Sequence, residues 1–227
     1  MLKPILLFFT GIFLLKNMNG QENNDTIPAL LDQVIIRAYE QNRALKDVAA
    51  PVAIVGPRQL GRFGYSSLLP AVNTVPGVRM EERSPGSYRL NIRGSSLRSP
   101  FGVRNVKIYL NGIPFTDPGG STYFNQLSFF DVSGIEIIKG PGSSLYGAGT
   151  GGVMLLKTMD DSIAGGLSAN YSKGSFNTDN LNVSASAANI NFSNKISWSH
   201  QTSNGYRQQS AMRRDLASWQ TIIKAGE

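Results

Sequence analysis

Residues 135–158 read IEIIKGPGSSLYGAGTGGVMLLKT, and this stretch decides the fold of the chain. One apolar run, Ile135–Ile138, opens it and a second, Val153–Leu156, closes it, and each has the length of a short buried strand. Between the two runs, residues 139–152 include six glycines, which allow backbone turns that side chains would obstruct. The stretch therefore predicts a strand, a glycine-rich corner and a second strand.

The glycines of this corner also fit another motif, because residues 147–152 satisfy G-x-G-x-x-G, the spacing of dinucleotide-binding loops. Such a loop needs a helix directly after the glycines, since the helix N-terminus holds the pyrophosphate. Here Val153–Leu156 is an apolar, β-favouring run without a helical period, and no Gly-Lys-Ser or Gly-Lys-Thr follows it. The context argues against a nucleotide site.

The composition is that of a turn-rich β protein, with 227 residues, 41% hydrophobic residues, 24 glycines and only 16% charged residues. The absence of cysteine excludes a disulfide framework, a thiolate nucleophile and cysteine-ligated metals. The single histidine, His200, cannot build a histidine metal cluster, and we expect it at the rim or surface of a strand without a role. No nucleophile, base and metal combination is present, so we expect neither an enzyme nor a cofactor. The net charge of +7 is compatible with an anionic ligand or membrane surface.

The N-terminus has the pattern of a secretory signal peptide. Lys3 supplies the positive start, and Ile5–Leu15 is an apolar core too short to span a bilayer as a helix. The chain turns polar after Lys16, and Gly20 before Gln21 offers a cleavage point. We therefore expect residues 1–20 to be a signal peptide that directs export.

Several short elements are predicted between residues 48 and 160. Proline and glycine positions separate them, and β-branched residues favour strands. They are a strand at Pro51–Gly56, a helix at Ser66–Thr74 capped by Ser66 or Ser67, a helix stop and new strand at Val75-Pro76-Gly77-Val78, a strand with Leu90 and Ile92 on one face, and a hairpin at Val106–Pro114 turning at Asn111-Gly112.

These motifs resemble the plug domain of TonB-dependent outer-membrane receptors. The match rests on Lys139 followed by Gly140-Pro141, on Leu145-Tyr146-Gly147, on Pro76-Gly77-Val78 and on Ile92-Arg93-Gly94. The resemblance implies an α+β plug domain, a small mixed sheet with short helices, at residues 48–160. It also implies a receptor that imports a scarce ligand such as a ferric siderophore, cobalamin or a glycan.

A short apolar segment, Leu31–Ala38, stands in the polar stretch of residues 21–47. It could be an ordinary edge strand, but before a plug it looks like the TonB box, which binds the periplasmic energy-coupling protein by strand addition. We therefore expect residues 21–47 to be a flexible periplasmic segment that carries this box. The predicted box residues are Leu31, Asp32, Gln33, Val34, Ile35 and Ile36.

Two groups of plug residues receive roles from the resemblance. In the family, cations at the positions of Arg93 and Lys139 face acidic residues of the inner barrel wall, although solvated strand-end charges would look the same. The loops Arg83–Tyr88 and Ser95–Phe101 combine arginine, an aromatic residue and turn residues, a mixture that suits a mobile binding loop but is equally ordinary in a solvent-exposed loop. The candidate ligand contacts are Arg83, Tyr88, Arg98 and Phe101.

Residues 161–227 alternate apolar and polar side chains in four segments, a pattern typical of transmembrane β-barrel strands. Soluble half-exposed sheets alternate as well, so periodicity alone leaves both open. We expect Ala188-Asn189 to form a short turn and residues 201–215 to form a long outer loop. The alternating apolar residues are Leu167, Ala169 and Tyr171; Leu181, Val183, Ala185 and Ala187; Phe192, Ile196 and Trp198; and Trp219 and Ile223.

The leading hypothesis is thus an N-terminal fragment of a TonB-dependent receptor, truncated after about four barrel strands. Its expected partners are a TonB-type periplasmic protein, outer-membrane lipid and a small-molecule or metal-chelate ligand, without a nucleic acid. Its expected location is the outer membrane. The alternative is a free periplasmic or secreted β-rich binding module, or a receptor remnant.

Overall fold

A five-stranded mixed sheet lies at the centre of the fold in this computed structural model, which describes residues 35–36, 38, 43–48, 50–95, 102–147, 149–158 and 165–223. Short helices and hairpins surround the sheet. In chain order the strands up to residue 158 are β1 (Ile35–Ile36), β2 (Arg43–Ala44), β3 (Val52–Val55), β4 (Val78–Ser84), β5 (Ser87–Ile92), β6 (Val106–Leu110), β7 (Ile113–Pro114), β8 (Gly134–Lys139) and β9 (Gly152–Lys157), and the helices are α1 (Pro57–Arg62), α2 (Leu69–Val72) and α3 (Ser143–Tyr146).

The strands of the central sheet follow the order β3-β8-β9-β6-β7. The pair β6 and β9 is parallel and the other pairs are antiparallel, so the sheet is mixed, as the resemblance implies. Strands β8 and β9, which flank the glycine-rich corner, pair directly, with Ile137 opposite Met154. Strands β4 and β5 form a separate hairpin. The strand, corner and strand predicted for residues 135–158 are confirmed.

The alternation of β8 explains how the sheet separates two apolar clusters. Ile135 and Ile137 belong to the larger cluster, which the helices α1 and α2 and the β4–β5 hairpin cover. Ile138 belongs to a smaller cluster on the other face, together with Val153 and Tyr146. The sheet is thus buried on both faces, which accounts for the nearly continuous apolar runs of β8 and β9.

The smaller cluster also contains residues from the beginning of the described chain. Ile36 and Ala38 are buried against Ile138, Tyr146 and Val153, and the backbone N–H of Ala38 donates to a carboxylate oxygen of Glu136 at 2.9 Å. Ile36 and Ala38 therefore pack on the sheet, whereas Leu45–Asp47 are exposed, and the flexibility of residues 21–47 stays a prediction. Leu31, Asp32, Gln33 and Val34 lie outside the described residues.

The structure confirms one predicted turn and differs from the prediction at two short helices. Asn111 and Gly112 both have positive φ, 51° and 84°, so the predicted hairpin turn is confirmed. The glycine-rich corner contains the one-turn helix α3, which the sequence analysis missed. Helix α2 is only four residues long, and the Ser67 hydroxyl accepts the N–H of Leu69 at 3.2 Å.

Gly152 occupies a position that no other residue fits. Its φ is +143°, and a Cβ added there would lie 2.3 Å from the carbonyl oxygen of Ile138, a backbone atom that cannot rotate away. We expect Gly152→Ala to lower the free energy of unfolding of a 35–158 fragment by roughly 3 kcal/mol, measured by urea unfolding. The matched control is Gly134→Ala at the start of β8, where an added Cβ meets nothing within 4 Å. Equal effects of the two changes would contradict this account.

The remaining described strands form one antiparallel sheet in the order β10-β11-β12-β13. Its registers are regular, for example Ala169 opposite Val183 and Val183 opposite Trp198. The strands are longer than predicted, so the loop between the last two covers residues 204–211 rather than 201–215. Their bounds are β10 (Gly166–Gly174), β11 (Thr178–Ala188), β12 (Phe192–Ser203) and β13 (Met212–Ile223).

The two faces of this four-stranded sheet differ in chemistry as the alternation predicts. One face carries buried small polar side chains and turns toward the rest of the protein. The other face is exposed and apolar, with Leu167 87% and Trp219 76% exposed. The inward set is Asn180, Asn182, Ser184, Ser193, Ser197 and Ser199, and the outward set includes Leu167, Tyr171, Val183, Phe192, Ile196, Trp198, Trp219 and Ile223.

Candidate functional site

A pocket of about 450 Å³ opens between the β4–β5 hairpin and the inward faces of β11, β12 and β13. The hairpin contributes residues 82–86 and Tyr88, and the strands contribute Thr178, Gln201 and Arg214. The loop between β12 and β13 closes one side with Tyr206 and Arg207. Two parts of the chain that are distant in sequence thus meet at one concave surface.

The tip of the β4–β5 hairpin is held by two hydrogen bonds, one to the side chain of Glu82 and one from the side chain of Arg207. Gly86 adopts φ +80°, and its N–H donates to a carboxylate oxygen of Glu82 at 2.9 Å. The guanidinium of Arg207 donates to the carbonyl oxygen of Arg83, which ties the β12–β13 loop to the hairpin. The same guanidinium lies 5.0 Å from the centre of the Tyr206 ring. The mouth of the pocket is therefore held by an arginine.

Positive charge dominates the lining of the pocket, with Arg83, Arg207, Arg213 and Arg214 against Glu82. Arg214 donates to the side-chain oxygen of Gln201 at 2.6 Å, and Gln201 in turn donates to the carbonyl oxygen of Ser66 at 3.2 Å. The hydrogen-bond acceptors that hold Arg207 and Arg214 are thus neutral oxygens. A ligand that carries carboxylate, phosphate or catecholate oxygens would find cationic partners in this pocket.

Tyr88 forms the base of the pocket, and only 6% of it is exposed. Its ring packs edge-on against Phe124 and Phe129, and the guanidinium of Arg214 lies 5.0 Å from the centre of the Phe129 ring. Burial, and then the negative charge of Glu82, raises the pKa of the Tyr88 phenol far above its ordinary value. The phenol is therefore neutral at physiological pH, and its hydrogen bond is made with Glu82.

The structure places the predicted ligand residues unequally. Arg83 and Tyr88 both line the pocket, although Tyr88 is also part of the core. Arg98 and Phe101 lie outside the described residues. Arg207, Arg214 and Gln201 were missed because they stand on the strands and the connecting loop, where the sequence analysis sought no ligand contacts. The signal was available, since Gln201 and Arg214 are large polar side chains near the ends of alternating strands.

The two predicted contact cations, Arg93 and Lys139, lie beside each other. A guanidinium N–H of Arg93 donates to the carbonyl oxygen of Lys139 at 3.5 Å, and the Lys139 ammonium donates to the carbonyl oxygen of Pro76 at 2.8 Å. Among the residues that the structure describes, neither cation forms an ion pair with a carboxylate. Their role in facing wall acids stays a prediction.

His200 points outward from β12, and one ring nitrogen lies 2.5 Å from a carboxylate oxygen of Asp215. Arg213 also contacts Asp215, at 3.3 Å, and the Trp198 ring stacks on the histidine. His200 and Asp215 lie on the outward face of the sheet, and of this cluster only Arg213 also borders the pocket. In the described part of the chain, no three His, Cys, Asp or Glu side chains come together to hold a metal ion.

Comparison with known proteins identifies the part of the chain that contains the central sheet. Residues 44–153 match the family model described as the TonB-dependent Receptor Plug Domain. The chain contains the plug domain of a TonB-dependent receptor. From here on, residues 44–158 are called the plug, and β10–β13 are called the wall strands.

The similar sequences and structures agree with this assignment. Over 119 residues, which are 52% of the chain, the sequence is 25% identical to the vitamin B12 transporter BtuB of Vibrio vulnificus (strain CMCP6). The closed form of the ferric-catecholate import receptor Fiu from E. coli K12 aligns with a TM-score of 0.61 at 18% identity and covers 80% of the chain. The siderophore receptor PiuA from Acinetobacter baumannii aligns with a TM-score of 0.58 at 17% identity and also covers 80%.

These alignments cover a small part of each relative. The chain spans 19% of the length of the vitamin B12 transporter and 25% of each of the two receptor chains. The structural matches show a common fold, namely a mixed plug sheet followed by antiparallel strands. None of the helices in the described ranges is long and apolar enough to cross a membrane.

Proposed function

We propose that the chain is the N-terminal part of an outer-membrane receptor that binds a scarce small ligand and imports it with energy from a TonB-type periplasmic protein. The pocket between the plug hairpin and the wall strands supports this proposal most directly, because its two sides come from the two parts that such a receptor must bring together. Binding, rather than chemistry, is the activity proposed.

The membrane location is supported by the outward face of the wall strands. Large apolar side chains such as Leu167, Trp219 and Ile223 are exposed there, whereas the inward face carries serine and asparagine. A strand in lipid needs this arrangement, because hydrocarbon rejects polar side chains and the lumen accepts them. A soluble binding module with the same strands would place its apolar face in water. We therefore favour barrel strands in the outer membrane, in contact with lipid.

The charge of the pocket suggests the class of ligand. Arg213 pairs with Asp215, and the other three arginines against one glutamate favour an anionic ligand, such as a ferric chelate with carboxylate or catecholate oxygens, over a neutral one. Vitamin B12 and ferric siderophores are named as ligands of similar proteins. Charge complementarity favours the second of these for this chain.

The test is ligand binding to cells that produce the full-length receptor, with ferric enterobactin and vitamin B12 as probes. We expect the ferric catecholate to bind, and Arg207→Ala with Arg214→Ala to weaken its binding roughly tenfold or more, since each charge-assisted hydrogen bond contributes about 1.5–3 kcal/mol. Arg79→Ala is the matched control, because Arg79 is exposed on the plug and pairs with Glu81 at 2.7 Å. Unchanged ferric-chelate affinity in the double variant would remove this pocket from the binding site, and a preference for vitamin B12 would contradict the anionic class.

A further inference from the structure

A short turn of the plug, Ser128–Asp131, lies against the inward face of β12 and β13. We call it the docking turn. It contains the 3-10 helix Phe129–Asp131, whose aspartate side chain is only 2% exposed. A buried carboxylate is costly unless it has a cation and hydrogen-bond donors around it. The wall strands provide both.

The carboxylate of Asp131 is held by three wall residues. The Lys195 ammonium lies 3.0 Å from one carboxylate oxygen, and the hydroxyls of Ser197 and Ser218 donate to the other at 2.5 Å and 3.1 Å. The Lys195 side chain is itself only 14% exposed. All three partners come from inward positions of β12 and β13, so one plug side chain bonds two adjacent strands of the wall.

The neighbours of Asp131 reinforce the same contact. The hydroxyls of Ser128 and Ser199 lie 2.6 Å apart in a buried hydrogen bond. The Lys195 ammonium lies 5.9 Å from the centre of the Phe130 ring, and the Arg214 guanidinium lies over Phe129. Each residue of the docking turn thus touches the wall. Other described contacts between the plug and the wall strands, namely Thr158 with Gln220, Gln201 with Ser66 and Arg207 with Arg83, involve no pair of buried opposite charges.

The polarity of this contact is the reverse of the one that the resemblance suggested. The resemblance predicts that the plug cations Arg93 and Lys139 face acidic residues of the wall. In the contact of Asp131 with Lys195, the acid is on the plug and the cation is on the wall. The docking turn also stands between β7 and β8, far along the chain from β1 and the predicted box. A pull on the N-terminus therefore reaches β1 and β2 before it reaches this contact.

We propose that Asp131 is a positioning residue that fastens the plug to the wall and so keeps the receptor closed to solutes that are not its ligand. The proposal rests on the barrel of the proposed function and assigns to the buried pair of Asp131 and Lys195 the task of holding the plug in its closed position. Removing either charge leaves the other buried without its counter-charge, which should raise the population of undocked plug by roughly a hundredfold.

The test uses cells that produce the full-length receptor and measures their resistance to vancomycin, an antibiotic that an intact outer membrane excludes. We expect Asp131→Asn and Lys195→Met each to sensitise the cells, while Glu81→Gln, which alters an exposed plug carboxylate, does not. Receptor abundance in outer-membrane fractions is measured in parallel. Because no ligand is required, the result does not depend on knowing what the receptor imports.

An engineered disulfide between the plug and the wall can distinguish the loss of docking from a general loss of folding. The 227 residues contain no cysteine, and the short distance between the Ser128 and Ser199 hydroxyls suits a disulfide between them. Ser128→Cys with Ser199→Cys, added to Asp131→Asn or to Lys195→Met, should restore vancomycin resistance under oxidising conditions and lose it again on reduction.

Two results would overturn the proposal: unchanged resistance in both single variants, or a formed disulfide that fails to restore resistance in either of them. A receptor that lacks residues 48–158 serves as the positive control for leakage. If that deletion reaches the outer membrane and still excludes vancomycin, the barrel of the proposed function fails as well, and the two failures are thereby distinguished.

Discussion

Replacing Ile35 by proline is expected to abolish energised uptake by the full-length receptor while ligand binding to the cell surface persists. Proline removes a backbone N–H donor and fixes φ, so a partner strand can no longer continue through this position. The measurement is uptake of the bound probe in energised cells, compared with its binding to the same cells without energy. Ile35→Thr is the matched control, because it keeps the β-branched shape and the backbone donor.

In the structure, β1 is already paired with β2, so a coupling protein has to compete with that pairing. Ile35 is 63% exposed, but Ile36 is fully buried, and both pair with β2 through Ala44 and Arg43. A coupling protein that adds a strand here must displace β2 or use the other edge of β1, and it must withdraw Ile36 from its cluster to reach that side chain. Undiminished uptake in the Ile35→Pro receptor, with normal abundance, would count against a box at this position.

The second large effect concerns the solubility of fragments. We expect residues 35–158 to form a soluble, folded monomer and residues 21–227 to aggregate when produced alone. In the longer fragment, Leu167, Trp219 and Ile223 present an apolar face, and β10 and β13 are the outer strands of the described sheet. An exposed apolar face with unpaired strand edges favours association. Size-exclusion chromatography of both fragments is the measurement.

A third fragment tests the contribution of β1. Residues 48–158 lack Ile36 and Ala38, which uncovers Ile138, Tyr146 and Val153. We expect this fragment to unfold at lower urea than residues 35–158, with a loss of about 2–3 kcal/mol for one buried isoleucine. Equal stabilities would show that β1 does not pack on the plug in solution.

A monomeric 21–227 fragment with one cooperative unfolding transition would contradict the predicted aggregation. That result would favour the free β-rich module.

Much of the fold could be predicted because its signals are local. The apolar runs around the glycine-rich corner, the Asn111-Gly112 turn and the alternation after residue 165 each depend on neighbours within a few positions. The resemblance to receptor plugs then connected these local elements. The packing of Ile36 could not be foreseen, because nothing in a polar segment shows that the distant Glu136 will accept the backbone N–H of Ala38.

The candidate site was less predictable than the fold. Arg83 and Tyr88 could be proposed from the hairpin, but Arg214 reaches the pocket only because the register of β12 and β13 places it there, and Arg207 because of the loop between those strands. Asp131 was missed for a similar reason. Its acidic side chain follows two phenylalanines in an unremarkable turn, and its partner Lys195 is one of several polar residues on an alternating strand.

The strand order of the plug sheet also governs when the plug can fold. The first long strand, β3, pairs with β8, and β8 pairs with β9, while β6 reaches β9 only through a parallel crossover. The bond from Ala38 to Glu136 joins residues 98 positions apart. Such non-local pairing is slow to form, because the chain loses entropy before the contacts are gained. Synthesis from the N-terminus therefore leaves β3 without a neighbour until β8 has been made, which keeps the growing chain open over all the residues between them.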